Sequence, residues 1–378
     1  MTQKRELKKH NATRGAQEES ALTTRQGPVV LRDVARIAGV STATVSRAMN
    51  SPERVSEELR VRIQSVVERL GWVPHSAART LATRRSRTIG AVIPSLANGG
   101  DFPRAIQALQ RELAAAGYTL LIAVSEYDRE QELRLVRTML ERGVEGLALV
   151  GCGSSKELSE LTARYPVPII RMFVYGSETE GICVGPNNRQ ALHRLTSYLI
   201  GLGHRRFGII AQQTADNERT RARLQGMLDA LAENGIAVHP RHLVQGLWTV
   251  SEGRELFREI MQTGPHPTAV ICGNSYLAVG ALLEAQSMGI RVPQDLSIVG
   301  YDDIDFMGEL PVPITTVKVS GVEVGEHTAR IMIAHLNGCR KETAFECSAD
   351  IIVRASADVP PGLSARKRRE PEDSPVSG

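Results

Sequence analysis

Hydroxyl-bearing side chains and a single arginine are concentrated in residues 41–50 of the chain. The spacing predicts a short helix in which Val45 and Met49, four residues apart, turn toward a core. The polar side chains then lie on the outer face, and Ser41 is placed to cap the helix. Phosphates and base edges require small hydrogen-bonding groups and guanidinium groups, and Arg47 is best suited to guanine. The segment therefore predicts a helix that reads DNA.

Two further predicted helices flank this segment. Apolar residues recur at helical spacing in residues 31–38 until Gly39 ends the first helix, and Ser56 starts a third helix that runs to Gly71. A tight turn at Gly39-Val40 joins the first two helices, which is the helix-turn-helix arrangement. A helix rich in serine and threonine could instead be merely well capped. The complete pattern of turn, polar outer face and third helix favours DNA binding.

A second group of side chains follows predicted strands in the rest of the chain. In paired α/β lobes, ligands bind in the crevice at the carboxyl ends of the strands. A guanidinium, an aromatic ring, an amide and a carboxylate are placed there: Arg223, Trp248, Asn274 and Asp302. Polar groups pair with hydroxyls and a ring stacks on an apolar face, so this set suits a sugar or another polyol. Alternatives are a surface ion pair of Arg223 with Asp229 or Glu233, a core tryptophan, and a carboxylate that caps a turn.

Short β-branched segments alternate with amphipathic helices from Thr88 onward, for example Arg104–Ala116 and Arg129–Arg142. The first set of predicted strands is Ile89–Ile93, Thr119–Val124, Gly146–Val150, Pro168–Met172 and Ile182–Val184. The second set is Phe207–Ala211, His242–Leu247, Ala269–Cys272, Leu296–Val299 and Thr316–Val319. Such alternation is typical of parallel sheets with crossover helices. The expected fold class is α/β, with a small three-helix DNA-binding domain and hinge helix before a two-lobed, doubly wound body.

Charge separates the two ends of the chain. Residues 1–88 hold 17 Lys/Arg against 8 Asp/Glu, whereas residues 89–378 hold 29 against 34. A basic block on an acidic body favours a polyanionic partner for the amino-terminal end. The plainer alternative is a solvated, arginine-rich face.

The composition argues against several classes of protein. The chain has 378 residues, enough for two or three domains. Its apolar runs are much shorter than the ~18 residues of a membrane span, and its polar first residues do not look like a secretory signal. Five scattered cysteines without a CxxC pair favour reduced thiols in a cytoplasm. Dinucleotide, P-loop, zinc-protease and nucleophile-elbow motifs are absent from the sequence, so we expect no enzyme, no metal site and no cofactor.

Three segments carry a resemblance to a known family. Leu31–Asn50, Val55-Ser56 and Pro74–Leu81 resemble the headpiece of the lactose/purine-repressor family of bacterial transcription regulators, and the resemblance extends over about residues 29–358. It implies that two headpieces of a homodimer bind a near-palindromic operator in double-stranded DNA. It also implies paired hinge helices that insert a leucine at the central step, and a body like a periplasmic sugar-binding protein.

The resemblance implies roles for individual residues. Base contacts are implied for Thr42, Ala43 and Arg47, and phosphate contacts for Ser41, Thr44, Ser46 and Asn50. The inserted leucine is Leu81, with Ala78 beside it, whereas His75 stands where many members have Asn or Ser. Effector binding is implied for Phe102, Arg223, Trp248, Asn274 and Asp302.

Two segments depart from the family pattern. Gly273-Asn274-Ser275 stands where most members have Asn-Asp, which removes one carboxylate. Gly185-Pro186-Asn187-Asn188 replaces a common Gly-Phe-Asp-Asn at a crossover. With fewer acids, and with Arg171 and Arg223 expected near the cleft, a sugar acid such as an aldonate is the favoured effector.

We therefore expect a cytoplasmic, DNA-binding transcriptional repressor of carbohydrate or sugar-acid genes, with no contact to a membrane. An effector between the lobes sets its operator affinity, as inducer or as corepressor, and the homodimer could also form a tetramer. The expected segments are a disordered basic tail (1–28), a helix-turn-helix domain (29–74), a hinge (75–87), an effector-binding and dimerisation body (88–358) and a disordered tail (359–378). The rival interpretation is a cytoplasmic sugar-binding or sugar-converting protein with an incidental basic arm.

Overall fold

The computed structural model describes residues 28–73, 80, 85–97, 100–151, 155–176, 181–213, 215 and 217–361. The chain divides into two compact units, residues 1–86 and residues 87–378. Most of the two predicted tails, and Ala78 and Leu81 of the predicted hinge, lie outside the described residues. The finer domain boundaries expected from the sequence stay predictions.

Three helices form the described part of the first unit: α1 (Leu31–Ala38), α2 (Thr42–Asn50) and α3 (Glu57–Leu70). A short 3-10 turn over Pro52–Arg54 joins the last two. Gly39 and Gly71 end α1 and α3 with φ values of 65° and 59°. Glycine adopts this left-handed conformation without the steric cost of a Cβ atom, so both helices end where the sequence predicts.

Apolar faces of the three helices enclose one core with Trp72. Its buried members are Val34, Ala35, Ala38, Val45, Ala48, Ile63, Val66, Val67 and Trp72. Val45 is fully buried as predicted, but Ala48 is buried in place of Met49, which is only partly buried. The two positions are three and four residues after Val45, on either side of one 3.6-residue turn. Both therefore face the core, with Ala48 buried in it and Met49 packed against its edge.

The second unit alternates strands and helices. In chain order its described elements are β1 (Thr88–Ile93), α4 (Asp101–Ala115), β2 (Thr119–Val124), α5 (Arg129–Glu141), β3 (Gly146–Val150), α6 (Lys156–Ala163), β4 (Ile169–Met172), β5 (Ile182–Gly185), α7 (Asn188–Gly201), β6 (Phe207–Gln212), α8 (Glu218–Glu233), β7 (Leu243–Gly246), α9 (Val250–Met261), β8 (Ala269–Cys272), α10 (Ser275–Ser287), β9 (Ser297–Tyr301), β10 (Thr315–Val319), α11 (Gly321–Leu336), β11 (Ala344–Glu346) and β12 (Ala349–Ile352). The ten predicted strands all appear: three have the predicted bounds, and the ends of the other seven differ by one or two residues.

These strands form two sheets of six. The first has the order β11–β5–β4–β3–β1–β2, with every pairing parallel. The second has the order β12–β10–β9–β8–β6–β7 and is parallel except at its β10–β12 edge. Helices cover the sheets, as expected of parallel strands joined by crossovers. The predicted two-lobed α/β architecture is confirmed.

The chain passes between the lobes three times, after β5, after β10 and after β11. Helix α11 therefore packs against α4 of the first lobe, and β11 closes that lobe's sheet. The sequence did not predict this return, because strands of three or four residues are too short to show a hydrophobic period.

The packing of α11 on α4 is unusually close. A Cβ atom on Gly321 would lie 2.2 Å from the carbonyl oxygen of Asp101, and one on Gly325 would lie 2.2 Å from that of Ala105. Glycine at these two positions therefore lets the first turn of α4 meet the second crossover. This contact positions the beginning of α4 at the junction of the lobes.

No helix in the described part of the chain is both long enough and apolar enough to cross a membrane.

Candidate functional site

The outer face of α2 carries the side chains predicted to contact DNA. Ser41, Thr42, Ala43, Arg47 and Asn50 are exposed, while Thr44 and Ser46 are partly buried. The Ser41 hydroxyl accepts a hydrogen bond of 3.1 Å from the Thr44 amide, so Ser41 caps the helix as predicted. The Arg47 carbonyl accepts from the Ser51 amide at 2.8 Å, while its guanidinium has no hydrogen bond or ion pair to another described residue. Capping accounts for Ser41 alone, but the Thr44 hydroxyl lies 2.9 Å from that of Ser41 and the Asn50 amide donates to the Ser46 hydroxyl at 3.3 Å. Thr42, Ala43 and Arg47 are the exposed side chains of this face that are open to a polyanion.

A cleft of about 760 Å³ opens between the two lobes of the second unit. Its wall is built from residues that follow strands of both sheets, as the position of sites in parallel sheets predicts. The structure brings all five predicted effector-binding residues to this wall: Phe102, Arg223, Trp248, Asn274 and Asp302. Binding of an effector by them stays a prediction. Arg171, which we also expected near the cleft, is buried on β4 and is not among the described residues that line it.

Asn274 and Asp302 are fixed by their backbone surroundings. The Asn274 carbonyl oxygen caps α10 by accepting a 2.9 Å hydrogen bond from the Leu277 amide. Its amide nitrogen is buried and has no hydrogen-bond partner among the described residues. Asp302 adopts a left-handed φ of 67°, a strained conformation for a residue other than glycine that Asp tolerates better than most.

The two neighbouring aspartates have different partners. Asp303 makes a bidentate ion pair with Arg354, at 2.7 and 2.9 Å. Asp302 lines the cleft, and burial raises the pKa of its carboxyl while Arg223 and Arg219 oppose that rise. A buried carboxyl beside two guanidinium groups can accept hydrogen bonds from ligand hydroxyls.

Arg223 is buried in the wall of the cleft rather than paired on the surface. Its guanidinium lies 4.4 Å above the ring of Tyr301 and donates to the Thr220 hydroxyl at 3.2 Å. Its Nε atom has no hydrogen-bond partner among the described residues. The carboxylates suggested as surface partners bind elsewhere: Asp229 pairs with Arg189 and Glu233 with His193.

Two charged groups of the cleft were not predicted from the sequence. Arg219 lies one helical turn before Arg223 on α8, and its guanidinium lies 5.3 Å from the centre of the Phe102 ring. Asp101 accepts a 3.2 Å hydrogen bond from the Gly321 amide. Burial and the nearby Asp302 raise the pKa of Asp101 to about 7. The four-residue spacing of Arg219 and Arg223 could have indicated Arg219, because residues four apart share a helix face.

Aromatic residues are concentrated in this cleft. The chain has only 2 Trp, 7 Tyr and 6 Phe. Six of them line the cleft: Phe102, Tyr127, Phe173, Trp248, Tyr276 and Tyr301. Flat apolar rings beside polar groups are suited to a ligand that has one apolar face and a polar edge.

A hydrogen-bonded chain connects the lobes behind the cleft. The Tyr301 hydroxyl donates to the Asn188 side-chain oxygen at 3.0 Å, and the Asn188 amide donates to the Phe173 carbonyl at 3.0 Å. Phe173 has a φ of 62°, which is rare for a bulky residue. A Cβ atom on Gly185 would lie 2.4 Å from the backbone of Val174, so only glycine fits beside this strained segment. The first crossover therefore fixes the back of the cleft.

Three direct contacts also join the lobes around the cleft. An ion pair joins Arg104 to Asp305. The rings of Tyr127 and Trp248 meet edge to face, with centroids 5.6 Å apart. The third contact is the stacking of Arg219 on Phe102 described above. A ligand that displaces or strengthens any of them would change the relative orientation of the lobes.

Comparisons with known proteins match the two units of the chain separately. Residues 30–75 match the family described as bacterial regulatory proteins, lacI family, and residues 196–357 match the periplasmic binding protein-like domain. The chain is 30% identical over 308 residues to the HTH-type transcriptional repressor CytR of Escherichia coli K12, covering 82% of this chain and 90% of that protein. It is 31% identical over 310 residues to the ribose operon repressor of Haemophilus influenzae, covering 81% and 91%.

Solved structures agree with this division. The lac repressor dimer bound to operator and the anti-inducer ONPF superposes with a TM-score of 0.80 at 25% identity, covering 88% of this chain and 100% of that one. A complex of the transcriptional regulator CelR with cellobiose gives a TM-score of 0.65, also at 25% identity, covering 87% and 100%.

Proposed function

The chain belongs to the lacI family of bacterial regulatory proteins, and on that premise we propose that α2 reads operator DNA while the cleft binds the controlling effector. The relatives named above are transcriptional repressors, so regulation is favoured over the rival sugar-binding or sugar-converting role. A homodimer with one headpiece per half-site matches a near-palindromic operator. Such a protein acts where the DNA is, in the cytoplasm.

The roles on α2 follow its exposed face. We assign base contacts to Thr42, Ala43 and Arg47. Phosphate contacts fall to the remaining polar side chains, Ser41, Thr44, Ser46 and Asn50. The free amide groups at the start of the helix support phosphate binding there, since they point outward and carry partial positive charge.

Leu81 and Ala78 are proposed to enter the minor groove at the operator centre, although both lie outside the described residues. Replacing Leu81 by Ala should weaken operator binding, because an apolar wedge offsets the cost of unstacking the central step. Effector affinity should stay the same. Titration of labelled operator and of effector measures both, and operator affinity equal to that of the unaltered protein would count against the wedge.

The effector is proposed to be a sugar acid. The observation that carries this proposal is a set of three buried donors without hydrogen-bond partners among the described residues: Nε of Arg219, Nε of Arg223 and the amide nitrogen of Asn274. A buried donor left unpaired costs ~1–3 kcal/mol, so a ligand rich in acceptor oxygens is favoured. A carboxylate supplies such oxygens, and Asp101 and Asp302 can accept from sugar hydroxyls.

Effector and operator are coupled through the orientation of the lobes. The contacts Arg104–Asp305 and Tyr127–Trp248 span the cleft, so an effector that alters them changes how the two lobes meet. In a dimer, this change would alter the spacing between the two copies of residues 75–83. Each ligand must then change the affinity of the other by the same factor, with either sign.

Two parallel measurements test this function. Selection on random DNA should enrich a palindrome with a central CG step. Fluorescence titration with sugars and sugar acids should find one compound that also shifts operator affinity. Trp248 lines the cleft and Trp72 lies in the core of the first unit, so Trp248→Phe should remove the effector signal and Trp72→Phe should keep it. Selection that enriches no sequence would overturn the regulatory role.

A further inference from the structure

A second cavity, with about 540 Å³ of open space including solvent at its mouth, adjoins the cleft. Tyr127 and Arg219 belong to the walls of both cavities. The second cavity also lies between the lobes, since its other walls come from the ends of β1, β2 and β3 in the first lobe and from the start of α8 in the second. The two cavities therefore meet at these two side chains.

The two cavities differ in chemistry. The first is lined by six aromatic residues, whereas Tyr127 is the aromatic residue that lines the second. The polar residues that line the second are Ser125, Asp128, Arg129, Glu132, Ser155, Asn217, Glu218 and Arg219. Carboxylates, guanidinium groups, hydroxyls and an amide together can pair with both the donor and the acceptor of a hydroxyl. The second cavity is therefore suited to a hydroxyl-rich group rather than to a stacked ring.

Three of these side chains already make structural hydrogen bonds. Asp128, Ser155 and Asn217 cap α5, α6 and α8 by accepting from backbone amides at 2.9, 3.0 and 3.2 Å. Glu132 lies one turn into α5, is partly buried, and does not line the first cavity. Burial raises the pKa of Glu132, and Arg171 opposes that rise. Glu132 therefore distinguishes the second cavity from the first.

The wall shared by the two cavities is polar and constrained. Arg219 is 9% exposed, its Nε atom has no hydrogen-bond partner among the described residues, and the Glu218 carboxylate is 3.9 Å away. Tyr127 and the preceding Glu126 hold φ values of 64° and 54°. Such conformations persist only where the surroundings impose them, and they are enriched at ligand sites. Arg219 can donate to a group that spans both cavities.

We propose that the effector has two units: an acidic sugar unit among the aromatic residues of the first cavity and a second hydroxylated sugar unit in the second cavity, contacted by Glu132 and Arg219. The effector is therefore a disaccharide-sized sugar acid. This inference rests on the proposed function, because it extends the ligand assigned to the same cleft.

Two other occupants of the second cavity fit it less well. In the described part of the chain no group of three or more His, Cys, Asp or Glu side chains could hold a metal ion. A lone inorganic anion would meet Glu132 and Glu218, which line the cavity from opposite lobes, and like charges repel. Sugar hydroxyls satisfy both the carboxylates and the arginines.

Calorimetry on the full-length protein with matched ligand pairs tests the proposal. Gluconate is compared with glycosylated aldonates, maltobionate, cellobionate and lactobionate, and glucose with maltose, cellobiose and lactose. The best two-unit compound should bind about tenfold tighter than its one-unit partner. This ratio corresponds to ~1.4 kcal/mol of binding free energy. Equal or weaker binding by every two-unit compound would overturn the second unit.

A pair of variants on α5 locates the second unit. Glu132→Gln should remove most of the two-unit advantage and leave one-unit affinity within about twofold, since a neutral amide accepts more weakly than a carboxylate. Glu130→Gln is the matched control, because Glu130 lies on the same helix with its side chain 89% exposed and should change neither affinity. An equal loss for both ligand sizes in the Glu132 variant would contradict the assignment.

The outcomes separate this inference from the proposed function. If gluconate binds and shifts operator affinity while no two-unit acid binds more tightly, the proposed function is supported and binding of a second sugar unit is ruled out. If only the neutral sugars bind, the effector is not a sugar acid. The comparison of glucose with maltose, cellobiose and lactose then shows whether a second sugar unit is bound. If no compound of either size binds a protein that protects its operator, the inference is overturned and DNA regulation remains.

Discussion

The DNA-reading face and the effector cleft differ in how their side chains are assembled. The predicted DNA contacts on α2 lie within ten consecutive residues, on one helix, and are mostly exposed. The cleft draws its wall from segments between Ser95 and Val319, and many of its polar groups are buried. Three of its residues, Tyr127, Phe173 and Asp302, have left-handed φ values. One site is a local surface and the other is a product of the whole second unit.

This difference predicts different responses to substitution. On an exposed helix face, a side chain can be removed with little effect on its neighbours, so the losses should be independent. In the cleft, Asp101, Asp302, Arg219 and Arg223 influence one another through short-range charge. Removing one of these side chains should therefore alter the charge interactions of the others. The losses of effector affinity should be larger than the losses of operator affinity caused by substitutions on α2.

The largest effect is expected for Asp302→Asn. Losing this carboxylate removes an acceptor for the ligand and leaves Arg223 without its nearby negative charge, which costs ~2–4 kcal/mol of binding, or about 100-fold. Operator affinity without effector should not change, since α2 lies in the other unit. Calorimetry with the effector found by screening, and operator titration, measure the two affinities. Unchanged effector affinity would place the site elsewhere.

Asp303→Asn is the control for that variant. Asp303 is adjacent in sequence but is bound by Arg354, so its replacement should lower the thermal stability of the second unit. Effector affinity should change by no more than about threefold. Loss of one charge-assisted contact to the ligand would change it much more. If both variants lost effector binding equally, the distinction between the two aspartates would be wrong.

A smaller effect is expected for Arg47→Ala on α2. Loss of a bidentate contact to guanine costs ~1–3 kcal/mol and relaxes specificity at one base pair. Competition titrations with operator and with single-base variants measure this directly. A uniform loss on all sequences would make Arg47 a phosphate contact.

Arg60→Ala is the matched control for Arg47. Arg60 is also an arginine of the first unit, but it lies on α3 and pairs with Glu57 at 2.6 Å. Removing this exposed ion pair should change stability by less than ~1 kcal/mol and leave base specificity intact. Relaxed specificity in this variant would show that α3 also contacts bases.

The same contrast explains what the sequence could predict. The helices of the first unit follow from local signals, such as the Ser41 cap and the glycines that end α1 and α3. Only the fine choice between Ala48 and Met49 for the core needed the structure. In the second unit, the rule that polar residues follow strands was sufficient to find Asn274 and Asp302.

The missed residues depend on contacts between distant segments. Asp101 enters the cleft because α11 returns to the first lobe and packs through Gly321 on the first turn of α4. Phe173 is turned by the first crossover, where Asn188 binds its carbonyl. No local period in the sequence encodes either contact. Asp101 thus brings to the cleft a carboxyl group from the opposite lobe to Asn274 and Asp302.

The last predicted effect is a pH dependence that arises in the cleft. Burial and Asp302 raise the pKa of Asp101 to about 7 from its ordinary value of 3.8. Between these two values the folded state holds a proton that the unfolded chain has lost, so the free energy of unfolding should fall as pH rises. The slope is at most ~1.4 kcal/mol per pH unit, and it ends above pH 7.

Thermal unfolding of Asp101→Asn isolates that contribution. The amide oxygen can still accept from Gly321, but it does not titrate, so the variant's melting temperature should fall less between pH 5 and pH 7 than that of the unaltered protein. Asp295→Asn is the control, since Arg291 lowers the pKa of Asp295 to about 2, well outside this window. If all three proteins showed the same pH slope, Asp101 would be charged in the fold. The cleft would then hold two carboxylates facing two arginines, with no excess positive charge, and a neutral sugar would suit it as well as a sugar acid.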